Sequence, residues 1–258
     1  MSITEDAPAL PRRSLVRLPG AARRASPWWV LVAASALVLA GVAVLMGVWW
    51  AASTTTREGH YRVVGTLSAL ELDLGAAPVE ITGGAGGTVD VRRTEHYAFG
   101  QPPRVTRGVQ GSALRITSRC PQTILGGCDV SFRIAVPDNV LVNVRTSSGD
   151  VRIASLNGSA RVTTGSGSVS IDGFCGFTLV ATSSSGDVHG GAECSPDRIE
   201  LRSGSGDVSA VVPAGRYRVD AHSDRVPARV RNLTVADDAA FTVQALSGSG
   251  DVSVEGAR

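Results

Sequence analysis

Lysine is absent from this 258-residue chain: all 25 basic residues are arginine. That bias points to a GC-rich bacterial genome and not to a site. Aromatic residues make up only 5% of the chain, so a thick aromatic core is excluded. A thin fold filled with Val, Ile, Leu and Ala is what remains. There is no G-x-S-x-G elbow and no Gly-Lys-Ser/Thr after a glycine run, which removes the usual marks of a serine hydrolase and of a phosphate cradle. The four histidines, His60, His96, His189 and His222, are scattered. No catalytic, cofactor-binding or metal-ligating set is expected, and the chain reads as non-enzymatic.

Excess charge of one sign is also missing where a nucleic-acid binder would need it. The net charge is +2. The first 52 residues hold five arginines (Arg12, Arg13, Arg17, Arg23, Arg24) against Glu5 and Asp6, and the other 20 arginines face 21 acids. A near-neutral domain of mixed charge argues against nucleic acid as a partner.

What the chain does have is one long uncharged run, Trp28 to Ala52, within a predicted transmembrane helix over 27–52. About 20 apolar residues span a bilayer core. Trp28 and Trp29 stand at one end and Trp49 and Trp50 at the other, as at two membrane interfaces. The length favours an uncleaved anchor over a signal sequence cut near Ala51 and Ala52. The five arginines before the run put residues 1–26 in the cytoplasm, as a disordered tail, and the rest outside. Ala36/Ala40 and Ala43/Gly47 have the spacing that lets helices approach closely. Residues 53–67 read as a stalk, and residues 68–256 as an extracytoplasmic β-repeat domain.

That domain repeats itself. Ser-Gly-Asp-Val or a near copy ends at Val151, Val169, Val188, Val208 and Val252, with a degenerate copy, Ser223-Asp224-Arg225-Val226, and an early one ending at Val79. Nine residues before these valines stand Leu70, Val142, Ala160, Leu179, Ile199, Tyr217 and Val243, all apolar. Alternation of period two runs on both sides of each turn, so each repeat is strand, tight turn, strand, with one aliphatic face. The turn residues Gly149, Asp150, Gly167, Gly186, Asp187, Gly206, Asp207, Gly250 and Asp251 are expected to be structural. Glycine supplies positive φ and aspartate bonds to nearby amides. Calcium between stacked aspartates is the sharper alternative, but β-roll calcium repeats are about nine residues long, half the period here.

A lone strand pair cannot bury its apolar face, so neighbours must stack. The preferred architecture is all-β: a β-solenoid-like stack of 18–20-residue repeats, with an antiparallel sandwich of hairpins as the rival. Cys175 and Cys194 each lie six residues after a repeat valine. Stacked strands are ~4.8 Å apart and a disulfide wants Cα atoms ~4.4–6.8 Å apart, so the solenoid predicts Cys175–Cys194. Cys120 and Cys128 would then close a short loop, although other pairings are formally open. Two bridges fit an oxidising exterior.

These features together resemble a bacterial family of membrane-anchored β-strand-repeat proteins named for adhesion and of unknown function. The residues that carry the resemblance are the serial turns, Arg145-Thr146-Ser147-Ser148-Gly149-Asp150-Val151, Phe174-Cys175-Gly176-Phe177 and Ala245-Leu246-Ser247-Gly248-Ser249-Gly250-Asp251-Val252. The resemblance implies an extracytoplasmic solenoid acting as a cell-surface binding module. Some relatives serve envelope-stress systems, which implies the other reading, an accessory sensor of envelope state. The expected partners are the membrane itself and an envelope component or partner membrane protein.

Overall fold

The computed structural model describes residues 27–99, 101–121 and 127–257. The tail expected at 1–26 lies outside the described residues. The chain divides into two units, residues 1–49 and 50–258. In the first, helix α1 (Pro27–Ala52) begins; its stretch Trp28–Trp49 has a mean hydropathy of 2.5 and is long and apolar enough to cross a membrane.

The second unit is all-β. Its first strands are β1 (Thr54–Val64), β2 (Ala69–Asp73), β3 (Val79–Thr82), β4 (Thr88–Ala98), β5 (Arg104–Gln110), β6 (Ala113–Arg119) and β7 (Cys128–Ala135). Four two-strand rungs follow: β8 (Leu141–Thr146) with β9 (Val151–Ala154), β10 (Ala160–Thr164) with β11 (Val169–Phe174), β12 (Thr178–Ser183) with β13 (Val188–Ala192), and β14 (Arg198–Ser203) with β15 (Val208–Val212). The chain closes with β16 (Arg216–Ser223), β17 (Arg229–Arg231), β18 (Thr234–Val235), β19 (Phe241–Ser247) and β20 (Val252–Gly256).

The two strands of a rung do not pair with each other. Each goes to a different sheet, and the Ser-Gly-Asp turn is the corner between the sheets. One sheet runs β1-β4-β7-β3-β9-β11-β13-β15-β20-β17, the other β18-β16-β19-β14-β12-β10-β8-β2-β6-β5. From β3 to β17 and from β18 to β6 neighbours are parallel, so the fold is a β-solenoid-like stack. Equivalent residues stand side by side. Val79, Val151, Val169, Val188, Val208 and Val252 form one column, and Leu70, Val142, Ala160, Leu179, Ile199 and Val243 another. The alternating inward residues of both sheets make the aliphatic core, in which Phe132, Phe174 and Tyr217 are the only large rings buried among the described residues. Such burial stabilises by ~25 cal/mol per Å² of apolar surface.

Two features of the stack differ from the sequence reading. The last rung does not lie at the end. β19 and β20 insert between the β14/β15 rung and the β16/β17 rung, so Val208 neighbours Val252. The degenerate turn is also in another register. Ser223 pairs with Ser247 and Arg229 with Ser253, which sets Ala228, not Val226, beside Val252. A shift of two residues keeps every side chain on its face, so alternation alone does not distinguish the two registers.

The stretch expected as a stalk contains β1, an eleven-residue strand paired antiparallel with β4 along its whole length. β4 pairs antiparallel with β7 and β5 with β6, so this end of the stack is closed by antiparallel strands. Here polar groups join the inward aliphatic side. Glu95 is buried, and Arg93 Nε lies 2.7 Å from its Oε1. That N–H is not aligned for a hydrogen bond, so the contact is an ion pair. Across from it, the Arg107 guanidinium stacks 4.3 Å over the ring of Tyr61, a cation–π contact that ties β5 to β1. Burial pushes the Tyr61 phenol up in pKa, against the pull of Arg107 and Arg93.

None of Gly149, Gly167, Gly186, Gly206 and Gly250 adopts positive φ, contrary to the expectation above. They are needed for close approach: a Cβ on Gly186 would sit 2.2 Å from the Gly167 carbonyl oxygen. Beneath them runs a buried hydroxyl column that the sequence reading missed. The Gly206 N–H donates to Ser203 Oγ at 2.8 Å, and that hydroxyl donates to the Gly186 carbonyl at 2.9 Å. Ser183 and Ser247 repeat the arrangement. The signal was present as Ser or Thr three residues before each turn glycine. Ser203→Ala removes one donor and one acceptor from a buried corner and is expected to cost about 1–3 kcal/mol, read as a lower thermal midpoint. Exposed Ser205→Ala is expected to stay within about 0.5 kcal/mol.

Candidate functional site

The stack brings the predicted turn residues into two adjoining columns. The aspartates bond backbone amides along the stack. Asp150 Oδ1 accepts the Ser168 N–H at 2.9 Å, Asp187 Oδ1 that of Asp207 at 2.8 Å, and Asp207 Oδ1 that of Asp251 at 2.8 Å. Each carboxylate therefore satisfies the amide of the next rung, a charge-assisted bond that holds adjacent corners together. Among the described residues no group of three or more His, Cys, Asp and Glu is gathered as for a metal. His222 reaches only its neighbour Asp224, at 3.0 Å, while Asp220 accepts from Gln244.

The cysteines are joined as Cys175–Cys194, with Cα atoms 4.7 Å apart on adjacent rungs, and Cys120–Cys128, with Cα atoms 5.8 Å apart. Gly173, at φ +66°, makes the bulge that precedes the first pair.

A recess lies on the outer face of the β8-containing sheet. It is a groove of about 340 Å³ lined by Glu71, Leu72, Asp73, Arg115, Thr117, Asn143 and Arg145. The register builds it. Arg115, Glu71, Asn143 and Arg161 stand in one row across β6, β2, β8 and β10, and Thr117, Asp73, Arg145 and Thr163 in the next. Because the strands are parallel and in register, outward side chains of equal position stand side by side at the strand spacing.

The charges in these rows are not balanced. Glu71 Oε2 accepts from Arg115 Nε at 2.8 Å. Asp73 Oδ2 accepts from Arg119 at 2.7 Å, and this hydrogen bond raises the Arg119 pKa above its usual value against the opposing effect of burial. Both acids are thus matched. Arg145 and Arg161 are exposed and, among the described residues, have no ion-pair or hydrogen-bond partner. Between them Asn143 Oδ1 is buried and has no hydrogen-bond partner. The groove therefore offers the free guanidinium fork of Arg145 on an open surface, with Arg161 on the next strand beside Asn143. It has no aromatic platform and no nucleophile paired with a base. A smaller recess of about 180 Å³ on the opposite sheet is lined in part by Glu80, Arg133, Asp150 and Arg152.

Residues 129–225 match the family described as Toastrack DUF4097. The matched segment runs from β7 through the four regular rungs to the degenerate turn. Solved structures similar to the chain include a "putative cell adhesion protein" of Clostridium sporogenes, 13% identical, covering 79% of this chain and 100% of that one at a TM-score of 0.45. Another is a "putative adhesin" of Bacteroides fragilis, 14% identical, covering 79% of this chain and 97% of that one at a TM-score of 0.43. No curated protein matches the chain.

Proposed function

We propose that this chain is a membrane-tethered, extracytoplasmic binding module of the cell surface, and not an enzyme. The observation that carries the reading is the groove on the β8-containing sheet: an open, polar recess with the unmatched guanidinium group of Arg145 in its lining, which suits recognition. The apolar helix supports a tether. The arginines before it support an outward-facing domain by the positive-inside rule, and two disulfides suit an oxidising compartment. The corner serines are taken up in capping bonds, which speaks against a nucleophile there.

The test is co-sedimentation of the full chain in zwitterionic nanodiscs with three fractions of its own cells: bare wall, protein-free lipid vesicles, and membranes with their proteins. Saturable binding to bare wall or lipid is the expected result. Binding confined to membranes that carry proteins would replace this reading with the accessory-sensor one, in which a partner membrane protein transmits the signal. The exposed helix face with Ala36/Ala40 and Ala43/Gly47 is the feature that favours that second reading. Absence of binding to all three fractions would overturn both.

A further inference from the structure

Among the described residues the two sheets leave four edge strands, β1 and β17 on one and β18 and β5 on the other. An edge presents unpaired main-chain groups to any strand that matches it, and folded proteins blunt such edges. Three of the four are blunted. β17 has three residues and β18 two. The only charged residues of β5 are Arg104 and Arg107, so two copies meeting there would oppose like charges. β1 is the exception: it has eleven residues and charges of both signs, Arg57, Glu58 and Arg62.

We propose that a second copy of this chain fills the β1 edge. The β1 strands of two copies pair antiparallel about a two-fold axis at His60, and the two sheets run on into one. The inference goes beyond the binding-module reading and takes from it only the tether.

The ladder shows which groups are free. The Phe99 N–H donates to the Ser53 carbonyl at 3.2 Å, and the Ala98 N–H to that of Gly127 at 3.1 Å. Bonded pairs alternate along an antiparallel ladder, so the odd-numbered residues of β1 bond to β4. The main-chain groups of Thr56, Glu58, His60, Arg62 and Val64 therefore point out from the edge. Among the described residues nothing bonds them.

The side chains choose the register. An axis at Glu58 would set that carboxylate against its own copy. An axis at Gly59 would set it against His60, which Asp90 already holds at 2.8 Å. An axis at His60 sets Glu58 of each copy against Arg62 of the other, an opposite-charge pair made twice. Both are available. Glu58 is exposed and has no partner among the described residues. The Arg62 side chain is 60% exposed and comes no nearer to Asp90 than 3.4 Å. In the same register Thr56 lies against Val64 of the other copy and covers a valine that is 78% exposed. Each of these pairs exchanges both main-chain hydrogen bonds. The main chain then supplies affinity and the charges supply register.

The tether favours the encounter. α1 ends at Ala52 and β1 begins at Thr54. Copies held in one membrane thus carry this edge next to the anchor in the chain, and confinement raises their effective concentration.

The experiment uses the full chain in zwitterionic liposomes, with one added cysteine, oxidised with copper phenanthroline and read on a non-reducing gel. His60→Cys stands opposite itself, at about 5.5 Å between Cα atoms, within disulfide reach. It should give a covalent dimer. Thr56→Cys keeps both charges but lies about 27 Å from its own copy, and should give almost none. In the His60→Cys chain, Glu58→Arg or Arg62→Glu should slow cross-linking about tenfold, because two attractive pairs become repulsive. Both reversals together re-form the pairs and should restore the rate, which a misfolded variant would not do. Cross-linking at Thr56→Cys or Glu58→Cys as efficient as at His60→Cys would overturn the proposal. So would indifference to the charge reversals, the result expected of a dimer made by the helix alone, and so would absence of any dimer. Co-sedimentation of the same variants with bare wall, expected unchanged, reads the binding-module proposal separately.

Discussion

Gly186→Ala is expected to destabilise the domain by about 3 kcal/mol or more, at the upper end of what overpacking costs. The added methyl would sit 2.2 Å from the carbonyl oxygen of Gly167 and within 3 Å of backbone nitrogen on the same rung below. Both are backbone atoms locked in a parallel ladder, so neither can move without prying the rungs apart. Gly206 and Gly250 meet the same obstacle one and two rungs on. For a domain of this size each kcal/mol moves the thermal midpoint by roughly 2–4 °C, so a fall of about 6–12 °C should be seen by circular dichroism. Gly108→Ala is the control: its Cβ meets nothing within 4 Å, and the midpoint should hold or rise slightly. Equal effects of the two substitutions would mean that the corners tolerate a side chain, and the close-packed column would be wrong.

The second large effect is expected at the antiparallel end. Arg93→Met should cost about 3–5 kcal/mol, because Glu95, only 3% exposed, would be left as an uncompensated charge. The double variant, Arg93→Met with Glu95→Met, should recover most of the loss, since removing both charges also removes their desolvation cost. The comparison is a double-mutant cycle read by chemical denaturation. If the double variant were as unstable as the single one, the damage would come from lost packing around Tyr61 and Gly59, where the Arg93 guanidinium also lies close. Since Arg93 also holds down the raised pKa of Tyr61, its loss should raise that phenol further, which alkaline absorbance titration would register.

Much of the regular region was legible in the sequence. Val151, Val169, Val188 and Val208 stand in neighbouring rungs as their spacing implies. The groove was not legible. Glu71, Arg115, Asn143 and Arg145 lie on three strands, and β6 joins β2 only after the chain has passed through β4 and β5. Nor could charge counting reveal a free Arg145, because that depends on Arg119 taking the carboxylate of Asp73. The sequence over 53–67 reads as a stalk, and it is the partner strand β4 that gives β1 its order.

The sequence by itself determined the apolar helix, the all-β class, the faces of the strands and the place of each regular corner. These are local properties: hydrophobic length, period-two polarity and the small residues that a corner demands. The tertiary structure decided which rung lies beside which, the two-residue register at Ser223, the antiparallel closure at β1 and β4, and the unmatched charge in the groove. The reason is that alternation is unchanged by a shift of two residues or by exchanging one aliphatic rung for another. Only the pairing of distant strands removes that degeneracy.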